Sequence, residues 1–294
     1  MNRIEILGVP VDVLKIEELE KVFLSVLEKK GTKQIVFLTI WDLIKACRKK
    51  SEFCECLKSA SIILPVSKTI LFGAKVLKKE IPVRYNPFTT TISLLSTLEN
   101  YSKSMFLFGG RKKALLTAEK NVRTTFPGLQ IVGRYVGYYP KSVEVDIVTG
   151  LYKSSPSLVL VADGIKEKNL WAYNRRNKFK DSVFLYYRDI IGIFSERVRR
   201  PSEKTFEKGH EFRMEVIKNP LKLFLVFPFL WYIIKLLYVR LFKVTDETGG
   251  VVTVQPAVTE NAGKKSSHAS QSGSNFRDGD DGQPTTPVDF DVSD

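Results

Sequence analysis

Short apolar runs alternate with longer stretches of helical periodicity along most of this chain, and this pattern restricts the fold more than any other feature. Such runs are typical of strands buried on both faces, and their regular alternation with helices favours an α/β fold. We therefore predict a Rossmann-like, mostly parallel sheet with flanking helices. The predicted strands are residues 4–7, 34–38, 61–64, 105–108, 129–132, 157–162 and 182–187. The predicted helices are residues 16–29, 41–59, 68–79, 90–101, 111–125, 143–154 and 166–178.

Ligands of such sheets bind beyond the carboxyl ends of the strands. The clearest example here is the strand that ends at Gly109 and Gly110, where glycine lets backbone N–H groups approach a ligand closely. A lysine-rich helix follows and ends at Pro127 and Gly128. The segment fits a phosphate-binding turn, and it also fits a tight strand-to-helix connection without a ligand.

Composition divides the chain into a body and a tail. The 294 residues, 44% of them hydrophobic, can bury one substantial core. From residue 244 the sequence turns to Gly, Ser, Thr, Asp and Pro, which predicts a disordered acidic tail over 244–294. We expect the α/β domain to occupy 1–200 and a basic, apolar C-terminal segment to occupy 201–243.

The charge of the chain is unevenly distributed. The tail holds nine acidic and three basic residues, so a net charge of +14 for the whole chain leaves about +20 on the body. Such a charge attracts diphosphate ligands, anionic membranes or nucleic acid. The basic residues are scattered over helices rather than gathered in a nucleic-acid-binding motif, so we expect no nucleic-acid partner.

Cysteine and histidine are too few and too scattered for a metal site. Cys47, Cys54 and Cys56 lie close together, but His210 and His268 are far from them in sequence. We therefore expect reduced thiols, no metal and no cofactor. The chain opens on a strand pattern rather than on a basic and then apolar leader, so we expect the body to face the cytosol.

Residues 223–234 carry no charge, and the apolar character continues to Phe242. Twelve apolar residues are too few to span a bilayer, which takes about 20. We predict a helix that lies in the membrane interface, and a buried core helix and a single membrane span are the alternatives. Aromatic residues suited to the headgroup boundary and basic residues suited to anionic lipid both occur there: Trp231, Tyr232, Tyr238, Lys222, Lys235, Arg240 and Lys243.

Several stretches resemble one enzyme family. They read ILGVPVD at 6–12, FLFGG at 106–110, FPGLQIVG at 126–133 and GYY at 137–139. In this order they resemble the WecG/TagA/CpsF glycosyltransferases, of which the chain looks like a divergent member. The resemblance implies transfer of an N-acetylhexosamine-type sugar, such as N-acetylmannosamine, from a UDP donor to a polyprenyl-diphosphate-linked sugar in surface-polysaccharide synthesis.

The resemblance also implies where such a protein works. It implies the cytoplasmic face of the bacterial inner membrane, with the chain bound peripherally to the anionic membrane surface or held by a single C-terminal anchor. The sequence leaves open whether the chain forms a homo-oligomer.

The resemblance carries over a set of site residues. For the nucleotide-sugar substrate these are Thr39, Ser67, Arg84, Gly109, Gly110, Gly137, Tyr138 and Gly164. For the acceptor diphosphate they are Arg199, Arg200 and Lys222, and the composition of the C-terminal segment adds Lys235 and Arg240 for the membrane. For each basic residue, a solvated helix face is the alternative.

The catalytic position of the family is altered. Its Pro-Asp-Gly-x-Gly, whose aspartate is the proposed base, reads Pro65-Val66-Ser67-Lys68-Thr69 here. Val66 cannot accept a proton, so the base is unknown. Asp163 and Asp189 are the candidate acids at strand ends, and Asp163 also suits a ribose hydroxyl or a helix N-cap.

Two functions follow from this sequence. In the first, the protein is a membrane-surface glycosyltransferase whose base comes from another position. In the second, it is a noncatalytic relative that binds nucleotide or lipid phosphate as a membrane-associated scaffold, because Val66 replaces the aspartate. The sequence favours the first.

Overall fold

The protein was analysed as a computed structural model, which describes residues 2–48, 50–200, 202–208 and 226–242. Six parallel strands form the main sheet, in the order β4-β3-β8-β7-β5-β6, and β1 and β2 form a separate antiparallel pair. This confirms the predicted mostly parallel α/β fold. The strands are β1 Asn2–Ile6, β2 Val9–Val13, β3 Lys33–Leu38, β4 Ile62–Pro65, β5 Ser104–Phe108, β6 Gln130–Tyr135, β7 Leu158–Val161 and β8 Val183–Tyr186.

The helices cover both faces of the sheet. They are α1 Leu19–Glu28, α2 Ile40–Ala46, α3 Glu52–Ser59, α4 Lys68–Val76, α5 Pro87–Asn100, α6 Lys112–Thr125, α7 Glu144–Ser154, α8 Asn169–Asn174, α9 Ile190–Phe194, α10 Glu203–Lys208 and α11 Val226–Phe242. Side chains of a strand point alternately to its two faces. Ile35 and Phe37 therefore join the core under α1, α5, α6 and α9, whereas Val36 and Leu38 join the core under α2, α3, α4 and α11.

The first predicted strand, 4–7, does not belong to the main sheet. It is part of β1, which pairs with β2 in a hairpin with the register Ile6 to Val9. Leu7 and Gly8 form the turn with φ of 53° and 81°, the positive values that a tight two-residue hairpin requires. The sequence-based prediction missed β2 because Pro10 lies within it and because leucine is an unusual residue for such a turn.

Asp12 fastens this hairpin to the edge of the main sheet. Its carboxylate, fully buried, accepts hydrogen bonds from Arg3 Nε at 2.5 Å and from the backbone N–H of Ile63 at 2.7 Å. Ile63 lies on β4, an edge strand, so the bond satisfies a backbone donor that the sheet leaves unpaired. The GVPVD sequence that ends at Asp12 therefore has a structural role: it attaches the β1–β2 hairpin to the edge of the main sheet.

Replacing Asp12 with alanine is expected to lower the free energy of unfolding by about 2–3 kcal/mol, because the N–H of Ile63 loses its partner in a buried place. Urea denaturation followed by circular dichroism measures this. Asp146→Ala, at an exposed position on α7, is the matched control and should change stability by less than about 0.5 kcal/mol. Equal stability of the Asp12→Ala and control variants would contradict this structural role of Asp12.

Two predicted helices are shorter or broken. The helix predicted over 41–59 is two helices, because Lys50 adopts a φ of 52° and the Ser51 side chain caps α3 by accepting the N–H of Cys54 at 3.3 Å. The helix predicted over 166–178 begins only at Asn169, after Lys168 with a φ of 53°. It ends at Asn174, and a short 3-10 turn, Arg176–Lys178, follows.

Candidate active site

Three loops at the carboxyl ends of β5, β6 and β7 are joined by backbone hydrogen bonds. Gly110 N–H donates to Asp163 O at 2.8 Å, Gly137 N–H donates to Gly110 O at 2.8 Å, and Tyr138 N–H donates to Gly164 O at 3.0 Å. The structure thus brings together five predicted site residues from distant parts of the sequence: Gly109, Gly110, Gly137, Tyr138 and Gly164.

Glycine is required in these loops because the backbones touch. A Cβ on Gly137 would lie 2.6 Å from Asp163 O, and one on Gly110 would lie 2.7 Å from a methyl of Ile191. Gly109 N–H is also engaged, donating to Tyr135 O at 2.9 Å. The amides of both glycines are therefore used to hold the loops together, and an anion here must be bound by other groups.

Those groups are present at the start of α6. Its N-cap residue, Arg111, has no side-chain capping bond, and no acidic residue lies in its first turn. Lys112 and Lys113 are instead its first two residues, and all three basic side chains are exposed. Cations at a helix N-terminus are electrostatically unfavourable, and the first N–H groups of a helix have no partner within the helix. An anion at this position would relieve both.

The two predicted acids have partners. Tyr138 donates its hydroxyl to Asp163 Oδ2 at 2.9 Å. Arg188 donates from Nε to Asp189 Oδ1 at 2.9 Å and from Nη2 to Asp189 Oδ2 at 3.0 Å. Both acids therefore lie at strand ends as predicted, after β7 and β8, and each is already held by a neighbouring side chain.

Thr39 and Ser67 organise the ends of β3 and β4. Ser67 Oγ accepts the N–H of Ile40 at 3.1 Å, and Val66 N–H donates to Leu38 O at 2.9 Å. Thr39 caps α2: its hydroxyl accepts the N–H of Asp42 at 3.2 Å and donates to Asp42 Oδ2 at 2.6 Å. Val66 itself is buried.

Asp42 is a site candidate that the sequence reasoning missed. Burial raises the pKa of this carboxyl above its ordinary value, against the lowering effect of the Thr39 hydrogen bonds and of the charges on Lys168 and Lys45. No donor among the described residues reaches its Oδ1 atom. The signal that could have found it is the Thr-x-x-Asp capping box directly after a buried strand.

Acids from three loops converge on Tyr186. The pKa of this phenol is raised to about 12, mainly by burial; the charge of Arg188 lowers it, and the charges of Asp189, Asp163 and Asp42 contribute to the rise. These three carboxylates follow β8, β7 and β3 respectively. Three carboxylates therefore lie near the middle of the strand-end surface, and one of them, Asp189, is paired with Arg188.

Arg84 joins the end of β4 to α10. Its Nε donates to Val66 O at 2.6 Å, another guanidinium nitrogen donates to Phe206 O, and the guanidinium stacks 3.7 Å from the centre of the Phe206 ring. A cleft of about 450 Å³ lies beside it, lined by Lys68, Leu71, Arg84, Phe206 and Glu207. The predicted substrate residue Arg84 is thus one wall of a cleft that opens next to Val66.

The predicted acceptor residues fall into three groups. Arg199 and Arg200 are exposed, and Arg200 lies 4.5 Å over the Phe88 ring and 3.5 Å from Glu203. Lys235 Nζ donates to Cys47 O at 3.5 Å and Arg240 donates to Val76 O at 2.7 Å, so both interact with carbonyls at the C-terminal ends of α2 and α4. Lys222 lies outside the described residues, as do 209–225 and the predicted tail 244–294.

Helix α11 packs on the body with one face only. Tyr232 and Leu236 are buried in the core with α2, α3 and α4, so the expected place of Tyr232 at a headgroup boundary is wrong. The opposite face is apolar and exposed: Phe227, Leu230, Trp231, Ile234, Leu237, Tyr238, Leu241 and Phe242. Within the described part of the chain, no helix combines the length and apolarity needed to cross a bilayer.

Comparison with known proteins finds one matching family and two similar proteins. The Glycosyl transferase WecG/TagA/CpsF family matches residues 4–243. Two relatives carry the name N-acetylglucosaminyldiphosphoundecaprenol N-acetyl-beta-D-mannosaminyltransferase. The one from Bacillus spizizenii is 26% identical over 164 residues, which are 56% of this chain and 63% of the relative, somewhat less than two thirds of its length. The one from Bacillus subtilis is 22% identical over 179 residues, 61% of this chain and 69% of the relative.

Proposed function

This chain belongs to the WecG/TagA/CpsF glycosyl transferase family, and we propose that it transfers an N-acetylhexosamine-type sugar from a UDP donor to a polyprenyl-diphosphate-linked sugar. Both relatives are named as N-acetylmannosaminyltransferases that act on a diphosphoundecaprenol-linked acceptor, which supports this substrate class. The observation that carries the proposal is the uncapped start of α6 with Arg111, Lys112 and Lys113, which suits the diphosphate of the donor.

The role of α6 is to stabilise the leaving group. When the sugar is transferred, the bond between its anomeric carbon and the β-phosphate oxygen breaks and UDP departs with the bonding electrons. Helix N–H groups and cations that face the diphosphate are fixed before the reaction and stabilise this charge as it develops.

We assign the proton transfer to Asp42. The acceptor hydroxyl oxygen forms the new bond to the anomeric carbon, and its proton passes to Asp42 Oδ1. A base with a pKa nearer neutrality is better matched to this task, and burial raises the pKa of Asp42 in that direction. Asp163 and Asp189 remain alternatives, although Tyr138 and Arg188 already occupy them.

The strand order gives the direction of the donor. Asp42 follows β3 and α6 follows β5, three strands apart in the order β3-β8-β7-β5. At about 4.8 Å per strand, the distance from the start of α6 to Asp42 is roughly 14 Å. This distance is long enough to hold the diphosphate, the transferred sugar and the acceptor hydroxyl in a row. The sugar would therefore extend from α6 across β7 and β8 toward β3.

The acceptor would enter from the side of α4. The cleft lined by Lys68 and Arg84 offers positive charge for a diphosphate, and α4 exposes Phe72 and supports α11. The apolar outer face of α11 suits a peripheral position on the membrane where a polyprenyl lipid resides. Exposed Lys75, Lys78 and Lys79 near the end of α4 suit anionic lipid at its cytoplasmic face.

Incubation of the full chain with UDP-N-acetylmannosamine, or UDP-N-acetylglucosamine, and a short polyprenyl-diphosphate N-acetylglucosamine tests this function. We expect UDP release and a lipid-linked disaccharide, both measurable by mass spectrometry. UDP binding without turnover would support the noncatalytic relative, for which the buried Val66 is the specific argument. Absence of both binding and turnover would overturn the proposal.

The diphosphate site has its own test. Changing Arg111, Lys112 and Lys113 together to glutamine is expected to weaken UDP binding by about 10–100-fold, because charge-assisted hydrogen bonds are lost. Calorimetric titration measures this. Changing Lys29, Lys30 and Lys120 to glutamine removes the same charge from exposed positions elsewhere and should leave the affinity nearly unchanged.

A further inference from the structure

A second cavity lies next to the cleft described above, and the two share Arg84, Phe206 and Glu207 as walls. Its volume is about 420 Å³, within the range of about 300–1,000 Å³ that ligand sites occupy. Helix α10 and the first turns of α5 form most of its lining, and Ile16 and Leu19 add apolar surface. None of its described lining residues is a catalytic candidate or belongs to the start of α6, so the cavity is distinct from the groups assigned to the transfer.

Three hydroxyl side chains of α5 line this cavity: Thr89, Thr90 and Ser93. No hydrogen-bond partner for these hydroxyls occurs in the part of the chain that the structure describes. A threonine within a helix often donates instead to the carbonyl four residues back, as Thr91 does to Pro87 O at 2.7 Å. Thr90 is 5% exposed, so a hydroxyl on a side chain that is more than nine-tenths buried is left without a partner at the cavity wall.

The buried Thr90 hydroxyl favours a polar ligand in this cavity. Burial of a hydroxyl without a hydrogen bond is unfavourable, and a ligand that supplies the bond removes that cost. A hydroxyl both donates and accepts, so it is well matched by a group that does the same, such as another hydroxyl. Glu203 and Glu207, one turn apart on α10, add carboxylates that accept strong hydrogen bonds from ligand hydroxyls.

The charges around the cavity favour a neutral ligand. Two carboxylates, Glu203 and Glu207, are balanced by two cations, Arg84 and Arg200. Arg84 donates to backbone carbonyls and stacks on the Phe206 ring, and Arg200 lies 3.5 Å from Glu203. Both cations are therefore engaged by the protein, and an anionic ligand would be repelled by Glu207.

We propose that this cavity binds a neutral saccharide ring, with ring hydroxyls bonded to Thr90, Ser93 and Glu207 and an apolar face of the ring on Ile16 and Leu19. The inference goes beyond the proposed function, because the cavity follows the end of β4, four strands from the β5 loop that leads to the diphosphate site. The saccharide held there is a sugar unit that does not itself react.

Ligand-observed NMR titration of the full chain with three sugars of different charge tests this. The probes are methyl N-acetyl-β-glucosaminide, which is neutral, methyl β-glucosaminide, which is a cation, and the 6-phosphate of the first, which is an anion. We expect saturable binding of the neutral probe and weaker binding of both charged probes. A preference for either charged probe, or no binding of the neutral one, would overturn the inference.

Thr90→Val keeps the shape of the side chain and removes its hydroxyl. We expect it to weaken binding of the neutral probe by about 3–10-fold, the effect of one hydrogen bond, and to leave the unfolding temperature unchanged or higher, because no protein partner is lost. Glu207→Gln, at an exposed position, should weaken binding by about 10–100-fold, because a hydrogen bond to a charged group is lost. Thr91→Val is the matched control: it removes the neighbouring hydroxyl, which bonds within α5, and should leave saccharide binding unchanged.

Equal binding of the neutral probe by Thr90→Val and Thr91→Val would place the saccharide elsewhere and overturn the inference. Displacement of the probe by saturating UDP-N-acetylglucosamine would also overturn it, because the saccharide would then occupy the donor site. Saccharide binding that persists in a protein that fails to bind UDP would support the inference and count against the proposed function alone.

Discussion

Asp42→Asn is expected to lower kcat by about 10²–10⁴-fold, the usual contribution of a general base, with little change in the KM for the donor. The asparagine side chain can still accept the hydrogen bonds of Thr39, so the N-cap of α2 should survive. Steady-state kinetics with the two substrates of the proposed reaction measure both constants.

The pH dependence separates a base from a merely structural acid. A general base acts in its deprotonated form, so kcat should rise with pH through the pKa of Asp42, which burial raises above its ordinary value of 3.8. In Asp42→Asn that acidic limb should be absent. A structural role in the helix cap would change the unfolding temperature and leave the shape of the pH profile as it was.

The direction of the pKa shift of Asp42 also predicts how Asp42→Asn changes the stability of the fold. A folded-state pKa above 3.8 means that the folded protein binds this proton more tightly than the unfolded chain. The resulting stabilisation is full below the unfolded value and is lost as the pH rises through the folded one. Removing the charge should therefore leave the unfolding temperature at pH 7 unchanged or slightly higher.

Asp163→Asn and Asp189→Asn are the comparison variants, because both acids lie at neighbouring strand ends. Each should retain most of the kcat when donor is saturating. Asp146→Asn on α7 controls for the loss of one surface charge. If Asp189→Asn loses the activity and the acidic limb while Asp42→Asn keeps them, the base is Asp189.

The sequence predicts the main sheet well for a physical reason. Strands buried on both faces, such as β5 and β7, read as continuous apolar runs that have no other stable place in a soluble fold. The glycines at 109, 110 and 137 likewise predict close backbone approach, and the structure brings those loops together. The hydrogen-bond partners of the glycine N–H groups could not be predicted from the sequence, because those partners lie on distant segments of the chain.

The failures have equally particular causes. The break between α2 and α3 depends on the left-handed backbone of Lys50, a residue with no preference for that conformation. Asp42 escaped notice because its burial comes from the tertiary structure, while its sequence context suggests only a helix cap. Lys235 and Arg240 suit lipid headgroups by composition, yet the structure gives each a backbone carbonyl at a helix end.

The second large effect is expected at the membrane. Changing Leu230, Ile234 and Leu241 to glutamine removes three side chains of α11 that are between 53% and 72% exposed. If this face enters the membrane interface, the change should cost about 3–5 kcal/mol of partitioning energy, which is about 10²–10⁴-fold in binding. Co-sedimentation with vesicles that contain anionic phospholipid measures the bound fraction.

A matched control uses exposed aliphatic residues on other elements. Leu116, Val132 and Val145, changed to glutamine, remove the same kind of side chain from α6, β6 and α7 and should leave vesicle binding unchanged. Both variants should unfold at nearly the temperature of the unchanged protein, since the buried residues of α11, Tyr232 and Leu236, are kept. Equal vesicle binding by the α11 variant and the control would refute the membrane role of this face.

The α11 variant and Asp42→Asn together separate the contribution of membrane binding from that of catalysis. The α11 variant should still transfer sugar to a short, water-soluble acceptor, because Asp42 and the start of α6 are untouched. With a full-length polyprenyl acceptor in vesicles it should lose activity in proportion to its lost binding. Asp42→Asn should bind vesicles normally and fail with both acceptors, so each variant isolates one requirement of a reaction that takes place on a surface.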